Sequence, residues 1–160
     1  LPPLYIMDAT IRLASSKGCR DVALRDFILG PGQTALQPGE ILMEVIIPKT
    51  PKKWVSAYYK VGKRKAMAIA IVSLAAALSR EGDGRVQDIA LAWGSVGPTV
   101  LRLPEVESFL REKYLDAETL QEAGRLVMSS LAPIDDIRAS AAYRRQVAAN
   151  LLVQLRTLAE

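Results

Sequence analysis

The chain has 160 residues, of which 50% are apolar, and its 21 basic and 17 acidic side chains give a formal charge of +4. Its single cysteine, Cys19, excludes an internal disulfide, a four-cysteine iron–sulfur cluster and a tetrahedral zinc site built from cysteines. The absence of histidine excludes Ser-His-Asp triads, histidine metal sites and histidine general bases. Any redox chemistry must therefore come from a bound cofactor.

The size of the chain allows one ordinary core or two small lobes that share an interface. The most apolar window, Ala66 to Leu78, is shorter than the roughly 20 residues that a membrane span needs. We therefore expect no membrane span, and no signal peptide is visible. A single cysteine fits a cytoplasmic protein. Nucleic acid is not an expected partner, because the basic excess is mild and only partly local, in Lys49 to Lys65, and the rest of the chain alternates signs as solvated helices do.

The first third of the chain has the pattern of strands and turns. Tyr5 to Ser15 and Cys19 to Leu24 mix apolar and polar residues, and Lys17-Gly18 between them predicts a hairpin. Ile41 to Ile47 is a near-continuous apolar run that is closed by a proline, which predicts a buried strand. The next residues, Pro48 to Lys53, are rich in proline and lysine and predict a linker.

Three further strands are predicted after the linker, at Trp54 to Val61, Ala70 to Ser79 and Arg85 to Trp93. The turn Glu81 to Gly84 joins the last two as an antiparallel pair. Because alanine favours helix, a helical second segment is the alternative. The pattern as a whole predicts an α+β chain in two parts, residues 1–48 and 54–160.

The remaining third is predicted to be helical, over Pro104 to Lys113, Asp116 to Ser130 and Ile137 to Ala159. Asp116 is the expected N-cap of the second helix, and Asp135 or Asp136 that of the third. One apolar stripe at helical spacing follows in the third helix: Val147, Leu151, Leu155 and Leu158.

Four segments resemble the flavoprotein subunit of the molybdenum hydroxylases, the xanthine and carbon monoxide dehydrogenase family. They are Thr34 to Glu40 (TALQPGE), Ala57 to Ala68, Trp93 to Arg102, and the closing motif Asp136, Arg138, Ser140, Tyr143 and Arg144. The resemblance implies the end of a FAD-binding domain like that of the vanillyl alcohol oxidases. A C-terminal domain like that of the CO dehydrogenase flavoprotein follows it, with three antiparallel strands packed on helices. It also implies an incomplete chain, which begins at Leu1 without an initiator Met and lacks the family's glycine-rich pyrophosphate loops.

Three residues are implied to touch flavin in the intact subunit. Leu36 matches the leucine that packs beside the isoalloxazine ring. The alternative is that Leu36 is a loop residue that only fills the protein core. Lys60 matches a cation near N1 and O2 of the ring, and Tyr59 takes that place if the alignment shifts by one residue. An edge strand protected by lysines is the other interpretation of this stretch. Many family members carry an acidic residue in the loop where this chain has Ala66, Met67 and Ala68. Because that loop helps govern nicotinamide access in the xanthine dehydrogenases, the resemblance does not decide whether NAD is the electron acceptor.

The closing motif implies a contact with partner subunits through Arg138, Tyr143 and Arg144. Asp136 is expected to cap the helix, and Ser140 and Arg144, four residues apart, to share one face. The alternative is a capped helix with a solvated face. The segment Trp93 to Arg102 is assigned a mainly structural role, since its glycines permit tight backbone packing.

The resemblance implies the FAD-binding subunit, here a fragment, of a molybdenum-dependent hydroxylase or dehydrogenase. Electrons would pass from iron–sulfur clusters through FAD to an external acceptor such as NAD. The molybdenum cofactor and the 2Fe–2S clusters belong to partner subunits of a hetero-oligomer, and the fragment alone is expected to be inactive, without catalytic residues or metal ligands. Two alternatives stay open: a docking domain that binds those subunits without flavin, and an unrelated ligand-binding α+β domain.

Overall fold

A short helix, α1 (Pro2–Ile6), begins the chain in the computed structural model, which describes residues 1–64 and 68–158. Pro2 stands in the first turn, where its fixed φ suits a helix and its missing N–H costs no hydrogen bond. The prediction of a strand from Tyr5 was therefore wrong at its start. Tyr5 and Ile6 are buried, and burial of neighbouring apolar residues does not distinguish a short helix from a strand.

The first sheet contains β1 (Thr10–Ser15), β2 (Gly18–Ala23) and β5 (Ile41–Ile46) in the antiparallel order β2-β1-β5. The predicted hairpin is confirmed, because Ser15 pairs with Gly18 across the turn. Gly18 has a φ of 123°, which only glycine adopts readily. Between β2 and β5 lie α2 (Leu24–Phe27) and a small hairpin of β3 (Ile28–Gly30) and β4 (Gln33–Thr34).

β5 forms the strand that the apolar run predicts, but it is not buried. Ile41 is 66% exposed and Met43 is 53% exposed. The prediction of burial was wrong because β5 stands at the edge of its sheet and pairs with β1 alone. Hydrophobicity predicted the strand but did not say which neighbours cover it.

The second sheet consists of β6 (Val55–Gly62), β7 (Ala70–Arg80) and β8 (Val86–Gly94) in the antiparallel order β6-β7-β8. This confirms the three predicted strands and excludes the helical alternative for the alanine-rich segment. On one face Leu74 and Leu78 pack toward the helices, and on the other Ala75 and Ala77 pack in a cluster with α1 and β1. Alternation of large and small apolar residues along β7 thus builds two cores, one on each face.

The helices are α3 (Pro104–Leu110), α4 (Ala117–Ser130), α5 (Ala141–Asn150) and a final 3-10 helix (Leu151–Leu158). Asp116 caps α4 as predicted, since its Oδ1 accepts the N–H of Thr119 at 2.8 Å. Leu151 and Leu155 of the predicted stripe are buried in the helix-side core, and Val147 and Leu158 pack against it. In the described residues no helix has both the length and the apolar character to cross a membrane.

The predicted start of the third helix was wrong. α5 begins after Ser140, whose Oγ accepts the N–H of Tyr143 at 3.2 Å. The Asp136 carboxylate instead accepts the N–H groups of Arg138 and Ala139 in the preceding turn, at 2.8 and 3.2 Å. Both aspartate and serine serve as N-caps, so the sequence offered competing start signals. The predicted end of this helix, Ala159, lies outside the described residues.

The α+β class is confirmed. The division at residues 1–48 and 54–160 stays a prediction, because the first part shares its core with the second sheet. Gly94 shows how closely they approach: a Cβ added there would lie 2.9 Å from Cγ of Pro2.

Candidate functional site

Leu36 lies on an ordered loop between β4 and β5 and is 44% exposed. Its neighbour Ala35 is the residue that packs against the first core. The interpretation of Leu36 as a plug of this core is therefore wrong. Its side chain is available to a flat apolar ligand, whereas its role beside a flavin ring stays a prediction.

An ion pair fixes this loop. Nε and Nη2 of Arg20 donate to the two carboxylate oxygens of Glu40 at 2.6 and 2.9 Å, and Nη2 also donates to the Ala35 carbonyl at 2.8 Å. Glu40 further accepts the N–H of Gln37 at 2.7 Å. The hydrogen bond from Arg20 and that from Gln37 lower the pKa of Glu40 to about 2. The ion pair thus holds the backbone on both sides of Leu36, because Arg20 bonds to Ala35 and Glu40 bonds to Gln37.

Lys60 and Tyr59 lie on opposite faces of β6, because successive side chains of a strand alternate. The Tyr59 hydroxyl is 3.1 Å from the Gln154 carbonyl, to which it donates, and its ring packs on the helix-side core. Lys60 is exposed on the other face, and its Nζ donates to the Ala68 carbonyl at 3.3 Å. A ligand on one face of β6 can therefore meet one of these two residues, not both.

β6 is an edge strand, as the alternative interpretation of this stretch predicts. An exposed lysine on such a strand discourages pairing with another chain. The edge position of β6 therefore explains an exposed lysine at position 60 whether or not Lys60 also contacts a ligand. Ala66 and Met67, where the family carries an acidic residue, lie outside the described residues.

The segment from Trp93 to Arg102 joins the parts of the molecule. Trp93 is buried, donates from Nε1 to the Ala148 carbonyl at 3.2 Å, and pairs with Leu101 through two backbone hydrogen bonds. Arg102 bonds to the buried Glu107 at 3.0 Å and to Asp8 at 3.3 Å. These contacts support the structural role that the sequence predicts for this segment.

The closing motif forms a latch inside the chain. Arg144 is only 4% exposed, and its Nη1 donates to the carbonyls of Ile71 and Ser95, both at 2.8 Å. Its Nη2 pairs with Oδ1 of Asp136 at 2.6 Å. The N–H of Arg138 and the Arg144 guanidinium lower the pKa of Asp136 to about 2.

The latch separates the three residues predicted at a partner interface. Arg144 is buried and contacts Ile71, Ser95 and Asp136 within the chain, whereas Arg138 and Tyr143 are exposed. The solvated-face interpretation is wrong for Arg144 because of this burial. The assignment of the three residues to a subunit contact stays a prediction.

Two cavities meet behind the latch and share Pro31, Ser95, Gly97 and Pro98. One, of about 450 Å³, extends to Pro133, Ile134 and Arg138. The other, of about 420 Å³, extends to the tip of the β3–β4 hairpin and Thr34. Neither is lined by Leu36 or Lys60, so the structure does not bring the predicted flavin contacts into these cavities.

The sequence did not single out Arg20, Glu107 or Ile137 as functional or structural contacts. Arg20 and Glu40 are 20 residues apart, and Arg102 and Asp8 are 94 apart, so no local pattern joins them. A charged residue next to apolar ones in a helix that packs on β8, such as Glu107 beside Val106 in α3, is a signal that points to a buried ion pair.

Two exposed side chains have the chemistry to contact a flavin ring, one apolar and one cationic. Leu36 offers an exposed apolar contact, and Lys60 offers a donor with positive charge on an accessible strand face. The N-termini of α4 and α5, the two longest helices, are already capped by Asp116 and Ser140 and so are not open to a pyrophosphate. The chain thus has side chains suited to the ring, whereas these two helix N-termini are not free for the phosphates.

Two family models match successive parts of the chain. Residues 1–50 match the FAD binding domain in molybdopterin dehydrogenase, and residues 57–158 match the CO dehydrogenase flavoprotein C-terminal domain. The chain is 34% identical over 143 residues to the xanthine dehydrogenase FAD-binding subunit of Escherichia coli O157:H7, which covers 89% of this chain and 49% of that protein.

Solved structures show the same architecture. Quinoline 2-oxidoreductase from Pseudomonas putida 86 has a TM-score of 0.88 and 31% identity, over 98% of this chain and 53% of that one. Carbon monoxide dehydrogenase from Hydrogenophaga pseudoflava has a TM-score of 0.87 and 30% identity, over 99% and 55%. The chain spans about half the length of the relatives that it matches. It belongs to the family of FAD-binding subunits of the molybdenum hydroxylases, to which the xanthine and carbon monoxide dehydrogenase flavoproteins also belong.

Proposed function

We propose that this chain is part of the FAD-binding subunit of a molybdenum-dependent hydroxylase or dehydrogenase. Electrons that leave the substrate at a molybdenum centre reach FAD through 2Fe–2S clusters and pass on to an external acceptor such as NAD. One observation carries the proposal: the two family matches follow each other in one chain and together reach from residue 1 to residue 158. The molybdenum cofactor and the clusters belong to partner subunits, and the assembly acts in the cytoplasm.

The chain's own contribution is to orient the flavin ring and to set its electrostatic surroundings. Leu36, held by the Arg20–Glu40 pair, packs against the ring. Lys60 stabilises the negative charge that develops near N1 and O2 when the flavin is reduced. The flavin, when bound, accepts and releases the electrons. The pyrophosphate is held by the part of the subunit that this sequence does not span.

The 160 residues alone are inactive under this proposal. A second function is favoured by the capped helix N-termini: the fragment serves as a docking domain for the other subunits and binds no flavin of its own. The two functions differ in one measurable property, which is flavin retention.

Flavin retention is tested by mixing the chain, and separately the full-length subunit that contains it, with FAD and passing each through a desalting column. We expect absorbance near 450 nm to be retained by the full-length subunit and lost from the 160-residue chain, since phosphate contacts dominate dinucleotide affinity. Loss from both proteins would contradict the flavoprotein function and leave the docking function.

The role of Lys60 is tested in the full-length subunit by Lys60→Met. Loss of a cation near the reduced ring is expected to lower the two-electron reduction potential by tens of millivolts, where about 30 mV corresponds to about 1.4 kcal/mol. Lys17→Met, in the β1–β2 turn, is the matched control and should leave the potential unchanged. If the Lys60→Met variant and the unmodified subunit have equal reduction potentials, Lys60 does not contact the reduced flavin ring. Tyr59→Phe tests the shifted alignment in the same way.

A further inference from the structure

A cavity of about 220 Å³ lies where the two matched regions of the chain meet. The end of α1 and the two residues after it line one side, and residues 48–51 of the linker line another. The start of β6, with Ala77 of β7, completes the wall. One family match ends at residue 50 and the other begins at residue 57, so the cavity lies at the boundary between them. Small-molecule sites are often found at boundaries between domains.

Most of the cavity wall is apolar. Ile6, Met7 and Ala77 contribute to it. Trp54 adds an aromatic ring, which is half-buried against the core of α1 and β1. The backbone N–H of Trp54 donates to the Pro51 carbonyl at 3.0 Å, and this turn holds the linker beside the start of β6. A cavity of roughly 150 Å³ can hold benzene, so this one has room for one aromatic ring with a small substituent.

Several polar side chains that line the cavity are not used by the chain itself. Among residues 1–64 and 68–158, the side chains of Lys49, Thr50 and Ser56 form no hydrogen bond or ion pair. Within the same residues, Nε1 of Trp54 has no hydrogen-bond partner either. Because a tryptophan N–H usually has a partner when it is buried, a ligand that covers this ring would be expected to supply one.

The charges beside the cavity are positive in sum. Lys49 lines it, and the other two lysines of the linker, which are also exposed, follow shortly after. The acidic residue at the cavity is Asp8, whose Oδ1 lies 3.3 Å from Nη1 of Arg102, and Arg102 also pairs with the buried Glu107 at 3.0 Å. These three residues carry one net negative charge, against the three positive charges of the linker. The local field therefore favours an anion.

We propose that this cavity, here called the linker cavity, binds a planar aromatic carboxylate with one ring. The ring packs against the apolar wall and Trp54, and the carboxylate accepts a hydrogen bond from Nζ of Lys49. An aromatic amine is a poorer occupant, because the lysines of the linker repel it. A small aliphatic acid is also poorer, because it leaves the apolar wall uncovered. Neither Leu36 nor Lys60 lines the linker cavity, so failure of this proposal would leave the proposed function unchanged.

The test is isothermal titration calorimetry of the full-length flavoprotein subunit with benzoate, benzylamine and acetate. Benzoate is expected to bind about tenfold more tightly, or better, than either of the other two, because benzylamine lacks the carboxylate and acetate lacks the ring. Benzoate should also raise the thermal unfolding temperature, since it binds the folded chain. Absence of benzoate binding would overturn the proposal, and so would equal or tighter binding of benzylamine or acetate.

The role of the cation is tested by Lys49→Met in the same subunit. Loss of the charge-assisted hydrogen bond is expected to raise the Kd of benzoate about tenfold. Lys52→Met is the matched control, because Lys52 is an exposed lysine of the same linker that does not line the cavity. It should change this Kd by no more than about twofold, since an exposed charge at a greater distance is screened. Equal Kd values for the two variants would contradict binding in the linker cavity.

The position of the ligand is tested by NMR of methionine methyl groups labelled with ¹³C. Met7 lines the linker cavity, whereas Met43 lies on β5 and Met128 on α4. Saturating benzoate should shift the methyl resonance of Met7 and leave those of Met43 and Met128 unchanged. An unshifted Met7 resonance, or a larger shift at either of the other two, would place benzoate elsewhere and overturn the proposal.

Discussion

Glu40 and Asp136 are two carboxylates whose ionisation is tied to the folded chain. Each accepts backbone N–H groups and pairs with an arginine, and each has a pKa of about 2 in the fold. One holds the Leu36 loop and the other holds the latch. The same chemistry thus fixes the two segments of the chain to which we assign function.

Stability should fall when these carboxylates are protonated. The ordinary pKa values are 4.5 for Glu40 and 3.8 for Asp136, so the unfolded chain binds protons at a higher pH than the folded chain does. Their contribution is complete above about pH 5 and is lost as the pH falls toward 2. Urea unfolding of the chain between pH 7 and pH 2 measures this loss.

Glu40→Gln should lower stability at pH 7 and flatten the dependence on pH below 5, because the titrating group is removed. Glu105→Gln serves as control, since Glu105 lies in the first turn of α3 and is exposed. An unchanged slope for Glu40→Gln between pH 5 and pH 2 would contradict the assignment of the titration to this carboxylate.

At the scale of elements, α1 packs closely on the second sheet. A Cβ added at Gly94 would lie 2.6 Å from Oγ of Ser73 and 2.9 Å from Cγ of Pro2. Contacts this short require the Ser73 side chain, the Pro2 ring or the backbone that carries them to shift. Gly94 therefore lets α1 and β8 approach, and through them the first 48 residues join the second sheet.

Gly94→Ala should destabilise the chain by about 1–3 kcal/mol, the usual cost of overpacking a core. Gly82→Ala is a close control, because nothing lies within 4 Å of a Cβ added at Gly82 in the β7–β8 turn. That control should be neutral or slightly stabilising. Chemical denaturation of both variants compares the two effects directly, and equal free energies of unfolding would show that α1 does not pack as described.

The elements also show what the sequence could predict. β6, β7 and β8 were predictable because their alternation and the Glu81 to Gly84 turn are local patterns. The exposure of β5 and the start of α5 were not predictable. The first depends on how many strands surround β5, and the second on which of several capping residues bonds to which N–H. The ion pairs of Arg20 with Glu40 and of Arg102 with Asp8 were not predictable either, because their partners are far apart in the sequence.

At the scale of the whole molecule, family resemblance predicted more of the candidate site than composition did. Composition limited the chemistry to a borrowed cofactor, and the four motif segments named the family. The structure then distinguished residues that the motif treats alike: Arg144 is buried in a latch, while Arg138 is exposed beside it. Tyr59 and Lys60, adjacent in sequence, were likewise separated onto two faces of β6.

β5 is the most exposed apolar element of the described chain's two larger sheets. Ile41, Leu42, Met43 and Val45 are each more than 40% exposed, and the strand has one unpaired edge. A long apolar edge strand is a template for pairing with another chain. We therefore expect the 160-residue chain to self-associate as its concentration rises.

Met43→Lys should reduce this self-association, because a lysine on an edge strand must be desolvated when another strand pairs with it. Met128→Lys is the control: Met128 is 40% exposed but lies on α4, away from any strand edge. Sedimentation velocity over a range of concentrations measures the effect. A chain that stays monomeric, or two variants that reduce association equally, would show that β5 does not drive it.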